Sequence, residues 1–310
     1  MKGSHIMKDF TLAGETASRI AQGCMRISGL DEKQVDTLIH TDLDCGINFF
    51  DHANIYGGNG LCEAKFGAFL RANPGIRDRM LIQTKCAIHD GIYDFSKEHI
   101  LTSTEESLKR LDIDTIDFLL LHRPDTLCEP EEVAEAFELL HAQGKVRYFG
   151  VSNHNPMQMQ LLARYLKEKL VINQLQFSIT NTTMIDADLN VNMENVGAVC
   201  RDGYVLDYCR LNDITIQPWS PLQFGFFGGT FLGNPDYARL NQALQDMASR
   251  YGITDTGLAI AWILRHPAVM QPVIGTVNPG RIREICDASN VTITRSEWYE
   301  LYRATGKQLP

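Results

Sequence analysis

The chain alternates between two hydrophobic periods. Short apolar runs at residues 20–23, 49–51, 80–85, 116–122, 146–152, 171–174, 214–217 and 273–275 are bounded by turn residues or charge and predict β-strands. Between them, 31–45, 101–111, 131–143 and 157–169 carry apolar residues at helical spacing. In the first of these, Leu38, Ile39 and Leu43 share a face, and Gly144 follows the third where a helix end favours glycine. Strands alternating with helices predict a parallel sheet. Eight such units predict a closed α/β TIM barrel, (β/α)8, with its active site at the C-terminal ends of the strands. Two segments depart from the repeat. Residues 10–20, centred on Ala13-Gly14-Glu15, predict a β-hairpin before the first barrel strand, and 194–229 is too long for one helix and its loop, so it predicts extra structure. A single domain is expected over 8–310, with 1–7 set aside as an expression-tag remnant.

Several predicted strands end in polar groups: Asp51, Lys85, His122, Ser152-Asn153 and Asn173-Gln174. An ionisable group closing a core strand is costly unless it is paired or working, and five such endings on one rim predict a site.

Composition narrows the partners. The 310 residues are 44% hydrophobic and 22% charged, as in a globular protein, and the net charge of −9 argues against general affinity for nucleic acid or anionic membranes. No apolar run approaches the roughly 18 residues of a membrane span. The eight cysteines form no C-x-x-C pair and stand in surroundings such as Asp44-Cys45-Gly46-Ile47, which predicts reduced thiols and a cytoplasmic protein. No G-x-G-x-x-G follows any predicted strand, so a Rossmann unit is not expected.

Asp51-His52-Ala53-Asn54-Ile55-Tyr56-Gly57 follows the second strand, Lys85 ends the third, and Leu119-Leu120-Leu121-His122-Arg123-Pro124-Asp125 ends the fourth. This set resembles the aldo-keto reductase family, most of all its bacterial oxidoreductases of uncharacterised substrate, over essentially the whole chain. The resemblance implies a catalytic tetrad of Asp51, Tyr56, Lys85 and His122 and an NAD(P)H-dependent reduction of carbonyls. The residue types suit that chemistry. Tyrosine, with a pKa of about 10, is protonated at neutral pH and can act as an acid. A neighbouring Lys85 is expected to lower that pKa, Asp51 to keep the ammonium paired, and His122 to orient the carbonyl.

The resemblance also implies a cofactor site. Ser152, Asn153 and Gln174 match the groups that bond the nicotinamide carboxamide, and Asp51 belongs to the same site. Trp219 matches the ring that stacks on the nicotinamide, and Ser220, Pro221 and Leu222 match the turn at the pyrophosphate. Gly275, Thr276, Arg281 and Glu284 match the segment at the adenosine 2′-phosphate, whose Asn278-Pro279 reads as a helix start facing an anion. Gly23, Cys24 and Met25 match the approach to the nicotinamide and ribose, with Cys24 expected to act through its backbone. Gly275 replaces a common lysine and Ile285 a common asparagine. NADPH is expected ahead of NADH because Arg281 and Thr276 remain.

The expected substrates are small aldehydes, ketones or dicarbonyls, met by Met25, Ile55, Ile88, His89, Arg123 and His154, with a short tail after Trp298 that leaves the mouth open. No metal is expected, and oligomeric state is not readable. Two alternatives stand beside this reading: an NADPH-binding sensor resembling potassium-channel β subunits, and a metal-dependent barrel hydrolase or isomerase built on Asp51, His52, His89 and His122.

Overall fold

The computed structural model describes Met7, residues 9–226 and residues 228–307. Residues 1–6 of the expected tag segment lie outside the described residues; Met7 is buried against the lower core.

A two-stranded hairpin opens the fold, β1 (Asp9–Leu12) and β2 (Glu15–Ser18). Its turn places Ala13 and Gly14 at φ 52° and 92°, matching the twist that a two-residue hairpin needs. The barrel begins with β3 (Ala21–Gly23), β4 (Phe49–Asp51) and β5 (Leu81–Cys86). Beyond β5 lies a small hairpin of β6 (Ile88–His89) and β7 (Ile92–Tyr93). The barrel resumes with β8 (Ile116–Leu121), β9 (Val146–Ser152), β10 (Leu170–Gln176), β11 (Thr215–Trp219) and β12 (Val273–Ile274). These eight strands close in the order β10-β11-β12-β3-β4-β5-β8-β9, with parallel pairing throughout.

Helices α1 (Glu32–Asp44), α2 (Leu61–Ala72), α3 (Lys97–Leu111), α4 (Pro130–Ala142), α5 (Pro156–Ala163), α6 (Thr183–Leu189), α7 (Val205–Leu211), α8 (Ala238–Tyr251), α9 (Asp255–Leu264), α10 (Pro279–Ala288) and α11 (Arg295–Ala304) complete the described elements. Their starts are written in the sequence. Asp31 and Asn155 form capping boxes with Gln34 and Gln158, and Pro156 and Pro279 occupy first helical positions. Gly144, at φ 70°, follows α4 as expected.

Three elements differ from expectation. Helix α3 begins at Lys97 rather than 101, because the Ser96 side chain accepts from His99 N and caps it a turn earlier. Helix α5 stops at Ala163, since residues 164–169 form the turn that returns the chain to β10. Helix α2, not expected at all, packs so closely on α3 that a Cβ on Gly67 would stand 2.2 Å from Arg110 O. The long 194–229 segment holds a short 3-10 turn, α7, β11 and the start of a loop over the barrel mouth.

Inside the barrel the period of two sorts side chains into layers. Ala21, Phe49, Leu81, Phe118, Ile172 and Val273 fill the lower interior with Leu12 and Ala17 of the floor hairpin. Above them lie buried glutamines. Gln83 and Gln174 Nε2 both donate to Gln217 Oε1 (2.8 and 3.0 Å), Gln217 Nε2 donates to Gln271 Oε1 (2.9 Å), and Gln271 Nε2 donates to Ser18 O (2.7 Å).

Candidate active site

The functional groups top this polar layer. Along β5 the inward positions are Leu81, Gln83 and Lys85, so the lysine closes the series at the mouth. Lys85 is fully buried. Its Nζ donates to Asp51 Oδ1 (2.6 Å), His52 O (2.8 Å) and Tyr56 Oη (3.2 Å). Those three acceptors use the whole donor capacity of an ammonium. Burial pushes the Lys85 pKa down, but Asp51 and Tyr56 outweigh it and the net direction is up. The cation persists through the physiological range.

Asp51 Oδ1 also accepts from Gln83 Nε2 (2.6 Å) and Gln174 Nε2 (3.1 Å), so three side chains from two strands, β5 and β10, hold the carboxylate. Tyr56 is positioned by the loop after β4, which runs on as a ladder beside β5: His52 N donates to Gln83 O (2.8 Å) and Asn54 N to Lys85 O (3.0 Å). Within this loop Gly57 takes φ 74°, and a Cβ there would meet Ser28 Cβ at 2.8 Å. Tyr56 is partly exposed to the cavity as a residue, while its hydroxyl lies deep. Accepting from Lys85 leaves its own proton free for another acceptor.

Burial pushes the Tyr56 pKa above its ordinary value, against Lys85 as the largest opposing influence and with Asp51 adding to the rise. Lys85 does lower the phenol pKa, as expected, but burial outweighs it. Removing a phenolate from water costs more than an ammonium already neutralised by Asp51 returns. His122, its ring centroid 6.0 Å from that of Tyr56, is held well below the ordinary histidine pKa by burial and then by Lys85 and Arg123. It is a neutral imidazole at neutral pH. Turnover should therefore be level across about pH 7–9, because His122 titrates below this window and Tyr56 and Lys85 above it. A profile of kcat/KM against pH checks this, and an ionisation near neutrality belonging to the enzyme would contradict it.

A cavity of about 1100 Å³ covers the site and runs across the mouth. Of the sequence-predicted residues, Gly23, Met25, Asp51, Tyr56, His122, Ser152, Asn153, Gln174, Trp219, Ser220, Pro221, Leu222, Gly275, Thr276 and Arg281 line it. Gln174 Nε2 is engaged below, which leaves Oε1 for a ligand amide. Asn153 (φ 60°) and Ser220 (φ 53°) are non-glycine residues in the left-handed region, and such strain gathers at binding sites. Trp219 Nε1 donates to Asn153 Oδ1 (3.1 Å), which fixes the indole plane.

Some of the expected residues do not line the cavity. The Cys24 side chain is buried in the core, which leaves its backbone for the expected contact, and Glu284 is exposed on α10 outside the cavity. His154 is not a lining residue; its ring stacks on Phe95 at 5.9 Å and its Nδ1 donates to Ser152 O (2.9 Å). His89, at the end of β6, does not line the cavity and contacts Asp90 and Asp94 instead. The four groups weighed for a metal do not converge: Asp51 is bonded to Lys85, and the His52 ring packs edge-on against Phe66 at 4.6 Å, its pKa pushed down to about 3 by burial and Lys85.

The sequence reading also missed lining residues. Arg26 reaches across to donate to Gly275 O (3.2 Å), and Gln223, Phe226, Thr230 and Leu232 come from the loop after β11. That loop has no hydrophobic period; it is pinned by Phe224 N donating to Gly229 O (3.0 Å). Its Phe226 and Trp219 flank Arg123, whose guanidinium carbon lies 5.8 and 5.9 Å from the two ring centroids.

The family model for the aldo/keto reductase family matches residues 19–304. The chain belongs to the aldo/keto reductase family. It is 38% identical over 307 residues to a 6-dehydroglucose reductase of Agrobacterium fabrum, covering 94% of this chain and 96% of that one. It is 36% identical over 309 residues to the uncharacterized oxidoreductase YcsN of Bacillus subtilis, with coverage of 94% and 96%. Among solved structures, a thermostable aldo-keto reductase bound to the inhibitor epalrestat superposes with a TM-score of 0.77 at 25% identity, covering 96% of this chain and all (100%) of that one. An aldo-keto reductase from Klebsiella pneumoniae in complex with NADPH has the same fold, with a TM-score of 0.77 at 23% identity and coverage of 96% and 95%. As an aldo/keto reductase the chain is an NAD(P)H-dependent oxidoreductase acting on carbonyl groups. No helix among the described residues is long and apolar enough to cross a membrane.

Proposed function

We propose that this aldo/keto reductase reduces small aldehydes and ketones to alcohols with NADPH, and that Tyr56 protonates the nascent alkoxide. The observation that carries this reading is the Lys85 ammonium, shared at 2.6 Å with Asp51 and at 3.2 Å with the Tyr56 hydroxyl beneath an open cavity. The residues fit a dinucleotide. Amide and hydroxyl groups gather beside Tyr56, a flat indole stands next to them, and a guanidinium lies at the start of α10. The bound nicotinamide would supply the hydride.

This chain's own residues do the rest. Tyr56 donates its proton to the oxygen, and Lys85 stabilises the charge that forms on the phenol oxygen. Asp51 keeps Lys85 in place, and neutral His122 orients the carbonyl. Ser152, Asn153 and the free Oε1 of Gln174 would hold the carboxamide, with Trp219 giving the ring a face to lie on. Ser220, Pro221 and Leu222 would meet the pyrophosphate, and Gly23 and Met25 the ribose side. Met25, Ile55, Ile88 and Tyr93 supply apolar wall and Arg123 a cation, a mixture that suits small polar carbonyls.

NADPH is favoured because the Arg281 guanidinium has no hydrogen-bond or ion-pair partner among the described residues and stands beside Thr276 at the N-terminus of α10. Arg281→Ala should weaken NADPH by about 10–100-fold, the worth of a charged hydrogen-bonded pair, and NADH by far less. Titration with both nucleotides checks this, and equal losses would remove the 2′-phosphate role. Purified protein should consume NADPH with small aldehydes, including 6-dehydroglucose, named in the Agrobacterium relative. Tight NADPH binding with complete inertness would favour a sensor instead.

A further inference from the structure

We propose that His89, Asp94 and His99 form a binding site for one divalent transition-metal ion of the zinc type, outside the carbonyl-reducing centre. One donor atom from each of the three lies within 4.8 Å of the other two. They occupy the end of β6, the residue just after β7 and the first turn of α3, so an ion here would tie the hairpin to that helix. In a tetrahedral zinc site, ligand atoms stand about 3.3 Å apart. His89 Nε2 and Asp94 Oδ2 are already 3.2 Å apart. The His99 ring lies 4.3 Å from the His89 ring, and its Nε2 is buried without a protein partner. A side-chain shift of roughly 1.5 Å would complete the set.

The surroundings are those of a ligand site. The other nitrogen of His89, Nδ1, contacts Asp90 Oδ2 at 3.2 Å, the carboxylate support that fixes a metal-binding imidazole. Asp94 is aimed by Ser96 N, which donates to its Oδ1 at 2.8 Å and leaves Oδ2 for the ion. Two imidazoles and one carboxylate suit zinc and its neighbours rather than magnesium or calcium. Three protein ligands leave a fourth position open to water or another small ligand. The paired residues Ile88 and Tyr93 line the catalytic cavity, while His89 does not; the site thus backs the wall of that cavity. This departs from the metal-free expectation of the sequence, which sought ligands around Asp51.

The test is zinc binding by the full-length protein, freed of metal, in competition with a chromophoric chelator. Wild type should take up one equivalent that His89→Ala and His99→Ala each weaken by more than about tenfold, and zinc should raise the Tm of wild type but not of the variants. Asp94→Asn, which keeps the oxygen that caps Ser96, provides a variant with its loop intact and should lose the same equivalent. Uptake equal in wild type and all three variants would mean the ion sits elsewhere, for example on cysteines, and would overturn the proposal. Absence of uptake would overturn it as well. Neither result depends on turnover, so the carbonyl reductase reading stands or falls separately.

Discussion

Replacing Tyr56 by phenylalanine is expected to lower kcat for carbonyl reduction by about 10²–10⁴-fold, the usual contribution of a positioned general acid. NADPH affinity should change by less than about twofold, because the hydroxyl acts on charge that appears only in the transition state. The ring stays, and Lys85 keeps Asp51 Oδ1 and His52 O as acceptors, so the fold loses one buried contact of 3.2 Å and little else. Steady-state rates with a fluorescence titration of NADPH separate the two effects. Wild-type turnover in this variant would remove Tyr56 from the chemistry.

The second large effect concerns the ion pair beneath it. Asp51→Asn should cost about 3–5 kcal/mol of stability, since it strands a fully buried ammonium without its counter-charge. Turnover should fall with it, because Lys85 then no longer sits charged beside the phenol. The double variant Asp51→Asn, Lys85→Met removes both charges. It should recover a good part of the stability and none of the activity. Denaturant unfolding and kcat on the three proteins give both readouts. If the single variant unfolds at wild-type denaturant concentrations, the pair is not mutually compensating.

Much of this candidate site is legible in the sequence. Asp51, Lys85, His122, Asn153 and Gln174 betray themselves because a run of core residues ends in groups that water would otherwise keep, and the barrel brings those endings to one rim. The floor hairpin announced itself through Ala13-Gly14. Other features depend on which way a side chain leaves its backbone. Cys24 stands between two cavity residues yet faces the core, and His154 follows Asn153 yet turns onto Phe95. Helix α2 hid behind its own approach: Gly57, Gly58 and Gly60 read as loop, although Cys62, Phe66, Phe69 and Leu70 behind them keep helical spacing. The pull of Lys85 on the Tyr56 pKa is legible in the sequence, but the larger upward push of burial is not, because residue types reveal neighbours but not depth. The loop after β11 carries no period, so its part in the cavity was visible only in three dimensions.

The glutamine relay makes the barrel interior a one-way object. Were Gln271 to swing its amide end for end, oxygen would face the Ser18 carbonyl; Gln217 would have to follow, and then Gln83 and Gln174 would turn oxygens toward Asp51. The reversed chain sets acceptor against acceptor at both ends, so the self-consistent sense is the one that delivers amide protons to the carboxylate. A buried carbonyl in the hairpin at the foot of the barrel thus dictates the orientation of side chains at its head, and it does so with groups that do not titrate.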